Sequence, residues 1–145
     1  MVGIVLVSHS AALAAGTAEV AQAMGVGKAV VEPAGGDTGG GLGTSPELVE
    51  RAIAAADDGD GVVLLADLGS SVLTAKLAIE DAEEDADGPA GAAGAASAAG
   101  RGVRLVLADA PLVEGAIAAA SMAATGADLD AVRAAAESAR DHRKT

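Results

Sequence analysis

One histidine stands where a side chain could do chemistry. His9 follows an apolar run at residues 2–7 and precedes an alanine-rich segment, whereas the other histidine, His142, lies in a charged C-terminal tail. A neutral imidazole can attack phosphorus through one ring nitrogen when an acceptor holds the other N–H. A helix that begins just after His9 would supply unpaired N–H groups for the phosphoryl oxygens. His9 is therefore the candidate phosphoryl acceptor and donor, and the alternative is a hydrogen-bonded structural histidine.

Further polar residues lie where other predicted strands end. Asp67 follows the apolar run 62–66 and could accept the second imidazole N–H, which would fix the tautomer. It could equally cap a helix that begins near Gly69. The residues predicted to offer hydroxyl or backbone N–H groups to a phosphoryl group are Ser8, Ser10, Gly43, Thr44, Gly69 and Ser70. For Thr44 the alternative is helix capping, in a box with Glu47, unless Ser45 is the cap.

Short apolar runs alternate with segments of helical periodicity. Strands are predicted at residues 2–7, 28–32, 62–66 and 103–108, and helices at about 11–24, 45–56, 69–84, 111–124 and 128–140. This alternation predicts an α/β fold with a doubly wound, mainly parallel four-stranded sheet flanked by helices. Ligands bind beyond the carboxyl ends of the strands in such sheets. We therefore expect His9, Asp67 and the loop after the second strand to share one site.

Composition bounds the domain organisation. The length suits one domain, predicted at residues 1–140, followed by a frayed tail at 141–145. Residues 85–100 are mostly Gly, Ala and Ser and are predicted to form a flexible insertion. The glycine-rich stretch at 35–43 matches no nucleotide-binding motif, and we expect a flexible loop there. The acidic run at 80–87 indicates a solvated helix end rather than a metal site.

Several classes of protein are disfavoured by the same composition. The chain has no Phe, Tyr or Trp and a formal net charge of −12, which argues against base stacking and against binding to nucleic acid or anionic lipid. A basic protein partner fits better. There is no cysteine, so thiolate chemistry is excluded. The N-terminal apolar run is too short for a signal peptide or a membrane span, and we expect a cytoplasmic protein without membrane insertion.

Four segments together resemble a known family. They are residues 4–10 (Ile-Val-Leu-Val-Ser-His-Ser), 43–44 (Gly-Thr), 65–71 (Leu-Ala-Asp-Leu-Gly-Ser-Ser) and 110–115 (Ala-Pro-Leu-Val-Glu-Gly). They resemble the mannose-type EIIA domains of the phosphoenolpyruvate-dependent phosphotransferase system. The closer match is to the phosphotransfer subunits of phosphoenolpyruvate-dependent dihydroxyacetone kinases. The resemblance covers about residues 1–84 and 102–135, and the insertion at 85–100 departs from it.

The resemblance implies a phosphotransferase that works through a phosphohistidine. His9 would accept a phosphoryl group from phosphorylated HPr and deliver it to ADP on the ADP-binding dihydroxyacetone kinase subunit. Asp67 and Thr44 would support the histidine, and the domain would be a homodimer. The phosphoryl group would be carried covalently, with no tightly bound cofactor and no metal.

Four alternatives remain open at this point. The first is the EIIA component of a mannose-type sugar phosphotransferase, which shares the chemistry. The second is a chelatase of the sirohydrochlorin type, but it needs a second metal-binding side chain, and the only other histidine is His142. A histidine phosphatase needs an arginine beside its nucleophile, which Ser8-His9-Ser10 lacks. The last is a non-catalytic interaction domain in which His9 has no role.

Overall fold

A single parallel sheet forms the centre of the molecule. The computed structural model describes residues 1–87 and 102–145. Its strands are β1 (Gly3–Ser8), β2 (Val30–Gly35), β3 (Val62–Ala66) and β4 (Leu105–Leu107), in the order β2-β1-β3-β4. All three pairings are parallel. The predicted α/β fold with a four-stranded parallel sheet is therefore confirmed.

Helices follow the strands in the predicted alternation. They are α1 (Ala11–Met24), α2 (Pro46–Ala56), α3 (Gly69–Asp87), α4 (Leu112–Ala123) and α5 (Leu129–Ser138), with a 3₁₀ turn at Ala139–Asp141. The bounds predicted for α1 and β3 agree with the structure, whereas β2 ends later and β4 is shorter than predicted. In the described residues, none of the helices combines the length and the apolar character needed to cross a membrane.

The predicted insertion at residues 85–100 begins inside a helix. Helix α3 continues to Asp87, so the first three residues of the predicted insertion are helical, and 88–100 lie outside the described residues. The acidic side chains at 80, 81, 83 and 84 are exposed on α3, as expected for a solvated helix end. A single domain over residues 1–140 stays a prediction.

Helices cover both faces of the sheet, and each strand contributes residues to the apolar cluster on either face. Ile4 and Leu6 of β1 belong to an apolar cluster that also contains residues of α1, α4 and α5. Val5 and Val7 belong to a second cluster with residues of α2 and α3. Successive residues of a strand point to opposite faces, so a continuous apolar run is what a doubly covered strand requires. Alanine predominates on the buried helix faces.

Hydroxyl caps fix where two helices near the sheet edge begin. The Ser10 hydroxyl accepts the Leu13 N–H at the start of α1. At the start of α2, the Ser45 hydroxyl accepts the Leu48 N–H, 3.3 Å away, and Pro46 occupies the first turn. Ser45, not Thr44, is thus the cap of α2.

The glycine-rich loop between β2 and α2 is organised by hydrogen bonds, which differs from the flexible loop predicted from sequence. The Asp37 carboxylate accepts the N–H groups of Gly39 and Gly41, at 2.9 and 2.8 Å. At its two ends, the loop donates the Gly36 N–H to the Ser8 carbonyl and the Gly43 N–H to the His9 carbonyl. One aspartate therefore folds the loop onto the end of β1, an effect that glycine content alone does not reveal.

A close approach of β2 to α1 sets the position of the residues after β1. A Cβ atom at Gly35 would clash with the Ser10 carbonyl oxygen and lie 2.8 Å from the Ala14 Cβ. Gly16, in the middle of α1, has open space around the same position. The two glycines therefore form a matched pair for testing the packing.

We expect Gly35→Ala to lower the free energy of unfolding by about 1–3 kcal/mol, because the added methyl group overpacks this contact. Gly16→Ala should raise it by about 0.5–1 kcal/mol, since alanine is the better helix former. Urea unfolding followed by far-UV circular dichroism measures both. A Gly35→Ala variant as stable as the parent protein would contradict the close approach.

Candidate functional site

His9 lies where the central strand β1 meets the start of α1. It is the first residue after β1, and its side chain is 30% exposed. Its Nδ1 atom is 3.0 Å from Asp67 Oδ1, and its Nε2 atom is 2.7 Å from the Ser70 hydroxyl oxygen. The imidazole is thus held at both nitrogens while part of it remains open to solvent.

The sheet topology explains this pairing. Strands β1 and β3 are neighbours, with Val7 opposite Ala66, so the residues that follow them emerge side by side. The chain leaves β1 toward β2 on one side and later returns to β3 on the other side. Ligand sites of doubly wound sheets lie at such switch points. His9 and Asp67 occupy this one, as predicted from the strand ends.

Hydrogen bonds surround the Asp67 carboxylate. Its Oδ2 atom accepts the His9 N–H at 3.0 Å and the Ser8 hydroxyl at 2.9 Å, and its Oδ1 atom accepts the Leu68 N–H at 2.7 Å. Burial of the carboxyl group raises its pKa. Hydrogen bonds from the Ser71 hydroxyl, the His9 and Leu68 N–H groups and the Ser8 hydroxyl outweigh burial and hold the pKa of Asp67 well below its ordinary value. Asp67 is therefore ionised at neutral pH.

An ionised carboxylate beside Nδ1 fixes the tautomer of the imidazole. Carboxylate oxygens only accept hydrogen bonds, so Nδ1 of His9 carries the proton and donates it to Asp67. The Nε2 atom then holds the lone pair and accepts the hydroxyl proton of Ser70. Nε2 is the ring nitrogen available as a nucleophile, which the sequence could not establish.

Two predicted phosphoryl-binding hydroxyl groups have other partners. Ser8 is fully buried, and its hydroxyl donates to Asp67 and accepts the Ser10 N–H at 3.1 Å. The Ser10 hydroxyl caps α1. In this arrangement the Ser8 hydroxyl supports the carboxylate and the Ser10 hydroxyl supports the helix, and binding of a phosphoryl group by either stays a prediction.

Gly43 and Thr44, from the loop between β2 and α2, form their hydrogen bonds near His9 but not with its imidazole ring. The N–H of Gly43 donates to the His9 carbonyl, 2.9 Å away, and is therefore engaged. The Thr44 hydroxyl is 3.0 Å from the Thr74 hydroxyl. Gly43 thus holds the backbone of His9, and Thr44 connects the loop to α3.

The first turn of α3 faces the imidazole. Gly69 begins this helix with a φ of +40°, a conformation that favours glycine, and exposed Ser70 follows it. The first N–H groups of a helix have no acceptor within the helix, and the helix dipole there favours anions. Among the described residues, no Arg or Lys donates a hydrogen bond to His9 or Asp67. Hydroxyl and backbone N–H groups would therefore have to bind phosphoryl oxygens.

Sequence reasoning missed two buried hydroxyl residues of α3. The Ser71 hydroxyl is 3.1 Å from Nδ1 of His9, and Thr74 is the partner of Thr44. Both lie on the buried face of the helix with Ala75. Polar residues at positions i and i+3 of an otherwise apolar helix face were the signal that could have found them.

The described residues do not form a metal-binding cluster. Across residues 1–87 and 102–145, no three His, Cys, Asp or Glu side chains lie close enough together to hold a metal ion.

The pKa of Asp67 predicts how its contribution to stability depends on pH. A carboxyl group with a depressed folded-state pKa stabilises the protein above its ordinary pKa of 3.8, and this contribution is lost as the pH falls toward the folded-state value. We expect Asp67→Asn to lower the free energy of unfolding at pH 7 by about 1–3 kcal/mol, because hydrogen bonds to a charged acceptor are weakened. The difference from the parent protein should shrink steadily below about pH 4.

Urea unfolding at a series of pH values measures this difference. Asp81→Asn, at an exposed position of α3, is the control and should change stability little at any pH. An Asp67→Asn effect that stayed constant down to pH 2 would contradict an ionised, hydrogen-bonded carboxylate.

The amino-acid sequence is similar to those of known proteins. The family model EIIA-man, described as a PTS system fructose IIA component, matches residues 3–133. Two relatives are phosphoryl donor subunits, DhaM, of PEP-dependent dihydroxyacetone kinase from Klebsiella michiganensis and Escherichia coli, at 35% and 34% identity over 91% of this chain. The chain spans about a quarter (25%) of the length of these relatives.

Two further matches extend over nearly whole proteins. The phosphoryl donor subunit DhaM of PEP-dependent dihydroxyacetone kinase 2 from Listeria innocua is 31% identical, over 91% of this chain and 94% of its own length. The crystal structure of a protein of unknown function, EF1359, has a TM-score of 0.70 and 31% identity, and the match covers 94% of this chain and 92% of that one. With the family model covering most of its length, this chain belongs to the EIIA-man family of the phosphotransferase system.

Proposed function

We propose that this protein is a phosphohistidine relay. His9 accepts a phosphoryl group from phosphorylated HPr and passes it to ADP on the ADP-binding subunit of a dihydroxyacetone kinase, where it supports phosphorylation of dihydroxyacetone. The observation that carries the proposal is the pairing of Nδ1 with Asp67 at 3.0 Å, which leaves Nε2 as the nucleophile. The acceptor is supported by the names of the relatives, each a phosphoryl donor subunit of such a kinase.

In the first step the Nε2 lone pair of His9 attacks phosphorus on the donor phosphohistidine. The new N–P bond forms as the N–P bond of the donor breaks, and its electron pair returns to the donor imidazole. His9 becomes cationic in this step, and the ionised Asp67 stabilises the charge through Nδ1–H. The Ser70 hydroxyl is released from Nε2 and can donate to a phosphoryl oxygen.

In the second step a β-phosphate oxygen of ADP attacks the same phosphorus atom. The N–P bond to His9 breaks and Nε2 recovers its lone pair, while the proton stays on Nδ1 and its hydrogen bond to Asp67 persists. The imidazole leaves as a neutral group, ready for another cycle. In this proposal the phosphoryl group is carried covalently, the partner subunit holds the nucleotide, and the chain needs no tightly bound cofactor or metal.

Surface properties around His9 fit a protein donor. Leu13, Leu42 and Leu68 are exposed large apolar side chains. Leu13 lies four residues after His9, Leu42 precedes Gly43, which donates to the His9 carbonyl, and Leu68 donates its N–H to Asp67. The net charge of −12 favours a basic partner. We propose HPr as that partner, a homodimer as the assembly and the cytoplasm as the compartment.

A sugar phosphotransferase component is the second candidate. The description of the matching family model names a fructose IIA component, which favours transfer to a sugar-specific carrier. The chemistry at His9 is the same in both cases, so the acceptor alone separates them. We favour the kinase because each of the relatives described above is a phosphoryl donor subunit of a dihydroxyacetone kinase.

Incubation with phosphoenolpyruvate, enzyme I and HPr tests the first step. We expect one acid-labile phosphoryl group on the wild-type protein and none on His9→Ala, because the nucleophile is removed. His142→Ala is the matched control and should be labelled as the wild type is. Heteronuclear NMR of the ¹⁵N-labelled phosphoprotein should place the N–P bond at Nε2. Equal labelling of His9→Ala would refute the relay.

Addition of ADP and the ADP-binding kinase subunit to the labelled protein tests the second step. We expect the label to be lost, and ATP to form, only when both ADP and the kinase subunit are added, because the phosphoryl group is transferred to the bound nucleotide. The kinase subunit without ADP is the control. A label that persists with both present, but is lost to a sugar-specific carrier, would favour the second candidate.

A further inference from the structure

We propose that Ser70 of the unphosphorylated protein is an activated nucleophile toward acyl and phosphonyl electrophiles, with His9 as its general base and Asp67 as the orienting carboxylate. The proposal goes beyond phosphoryl transfer, since it concerns a different nucleophile and a different class of electrophile. It rests on the geometry of three side chains and does not depend on the phosphoryl acceptor.

The three side chains form a continuous chain of hydrogen bonds. The Ser70 hydroxyl oxygen is 2.7 Å from Nε2 of His9, and Nδ1 is 3.0 Å from Asp67 Oδ1. Both distances lie within the reach of proton transfer to a general base. A nucleophilic hydroxyl, a base and a third group that orients the base are the parts of a Ser-His-Asp triad, which geometry identifies irrespective of sequence order.

The hydrogen-bond directions also agree with a triad. Because Nδ1 keeps its proton and donates a hydrogen bond to Asp67, Nε2 of the neutral ring has no proton and can only accept that of Ser70. The carboxylate is fixed by the Ser8 hydroxyl and two backbone N–H groups, so the imidazole is oriented before a substrate arrives. If Nε2 carried the proton, it would donate to the Ser70 oxygen and could not take the serine proton.

Ser70 is accessible, unlike the other hydroxyl beside the imidazole. It is exposed in the first turn of α3, directly after Gly69. Ser71 also contacts the ring, but it is fully buried and lies beside Nδ1, which carries the proton. In the described residues, only Ser70 therefore combines an exposed oxygen with a basic nitrogen.

Hydrolysis of an ester at Ser70 needs no reactant other than the ester and water. The Ser70 oxygen attacks the carbonyl carbon of an ester, and its proton moves to Nε2 of His9. The tetrahedral intermediate collapses, the C–O bond of the leaving alkoxide breaks, and the alkoxide takes the proton from Nε2. Water, deprotonated by Nε2, then hydrolyses the acyl-serine, and the proton returns to Ser70.

The reaction should be slow compared with that of a dedicated hydrolase. The N–H of Ser71 is already bonded to the Leu68 carbonyl and is therefore not a free oxyanion donor. Loss of one well-placed oxyanion donor costs about 10²–10³ in rate in dedicated enzymes. An irreversible reagent is therefore a better probe than turnover of an ester.

A fluorophosphonate is such a reagent, since the serine oxygen forms an O–P bond while the P–F bond breaks and fluoride leaves. The rate of adduct formation is measured by intact-mass spectrometry, and peptide mapping finds the modified residue. We expect a single adduct on Ser70 and none on Ser70→Ala. His9→Gln should slow labelling by about 10²–10⁴-fold because the general base is lost, and Asp67→Asn should slow it at least tenfold.

Ser121→Ala, on the distant helix α4, is the matched control and should be labelled as fast as the wild type. Far-UV circular dichroism checks that each variant is folded. An adduct on any other residue, or undiminished labelling of folded His9→Gln, would overturn the proposal. The relay is scored by acid-labile phosphate on His9 of the wild type and this proposal by the adduct on Ser70 of the wild type, so failure of the relay and failure of Ser70 labelling are separate results.

Discussion

The hydrogen bond between Asp67 and the imidazole of His9 is the interaction on which the rest of the site depends. It determines which ring nitrogen carries the proton, and thereby which one can act as a nucleophile or a base. The same carboxylate also accepts the backbone N–H of His9. One side chain therefore fixes the tautomer, the ring orientation and the backbone position of the histidine together.

The sheet makes this interaction possible, since β1 and β3 are adjacent and end at the same level. A parallel sheet requires helical crossovers, and these place the first turns of α1 and α3 on either side of the gap between the strand ends. The α3 turn brings Ser70 to Nε2. Loss of alignment between the two strands would separate the imidazole of His9 from Asp67 and Ser70.

Sequence was sufficient where one local pattern determines the outcome. Apolar runs predicted the strands, the alternation predicted the parallel sheet, and the strand ends grouped His9 with Asp67. Sequence was insufficient where the rotation of a helix about its axis determines which residues face the site. Ser71 and Thr74 could be assigned to the site only once the buried face of α3 was known. The sequence also left Thr44 and Ser45 as rival caps, because both are compatible with the same local sequence. The order in the glycine-rich loop depends on the side chain of Asp37, whose effect composition does not reveal.

That loop holds the end of β1 entirely through main-chain groups, the N–H of Gly36 on the Ser8 carbonyl and the N–H of Gly43 on the His9 carbonyl. Between these two anchors the Asp37 carboxylate orders the loop, whereas the side chains of Thr38 and Leu42 are exposed. These two positions can therefore diverge during evolution while the histidine keeps its place. Because the anchoring groups and the exposed side chains are separate, the surface beside His9 can change without any change in the geometry around the imidazole.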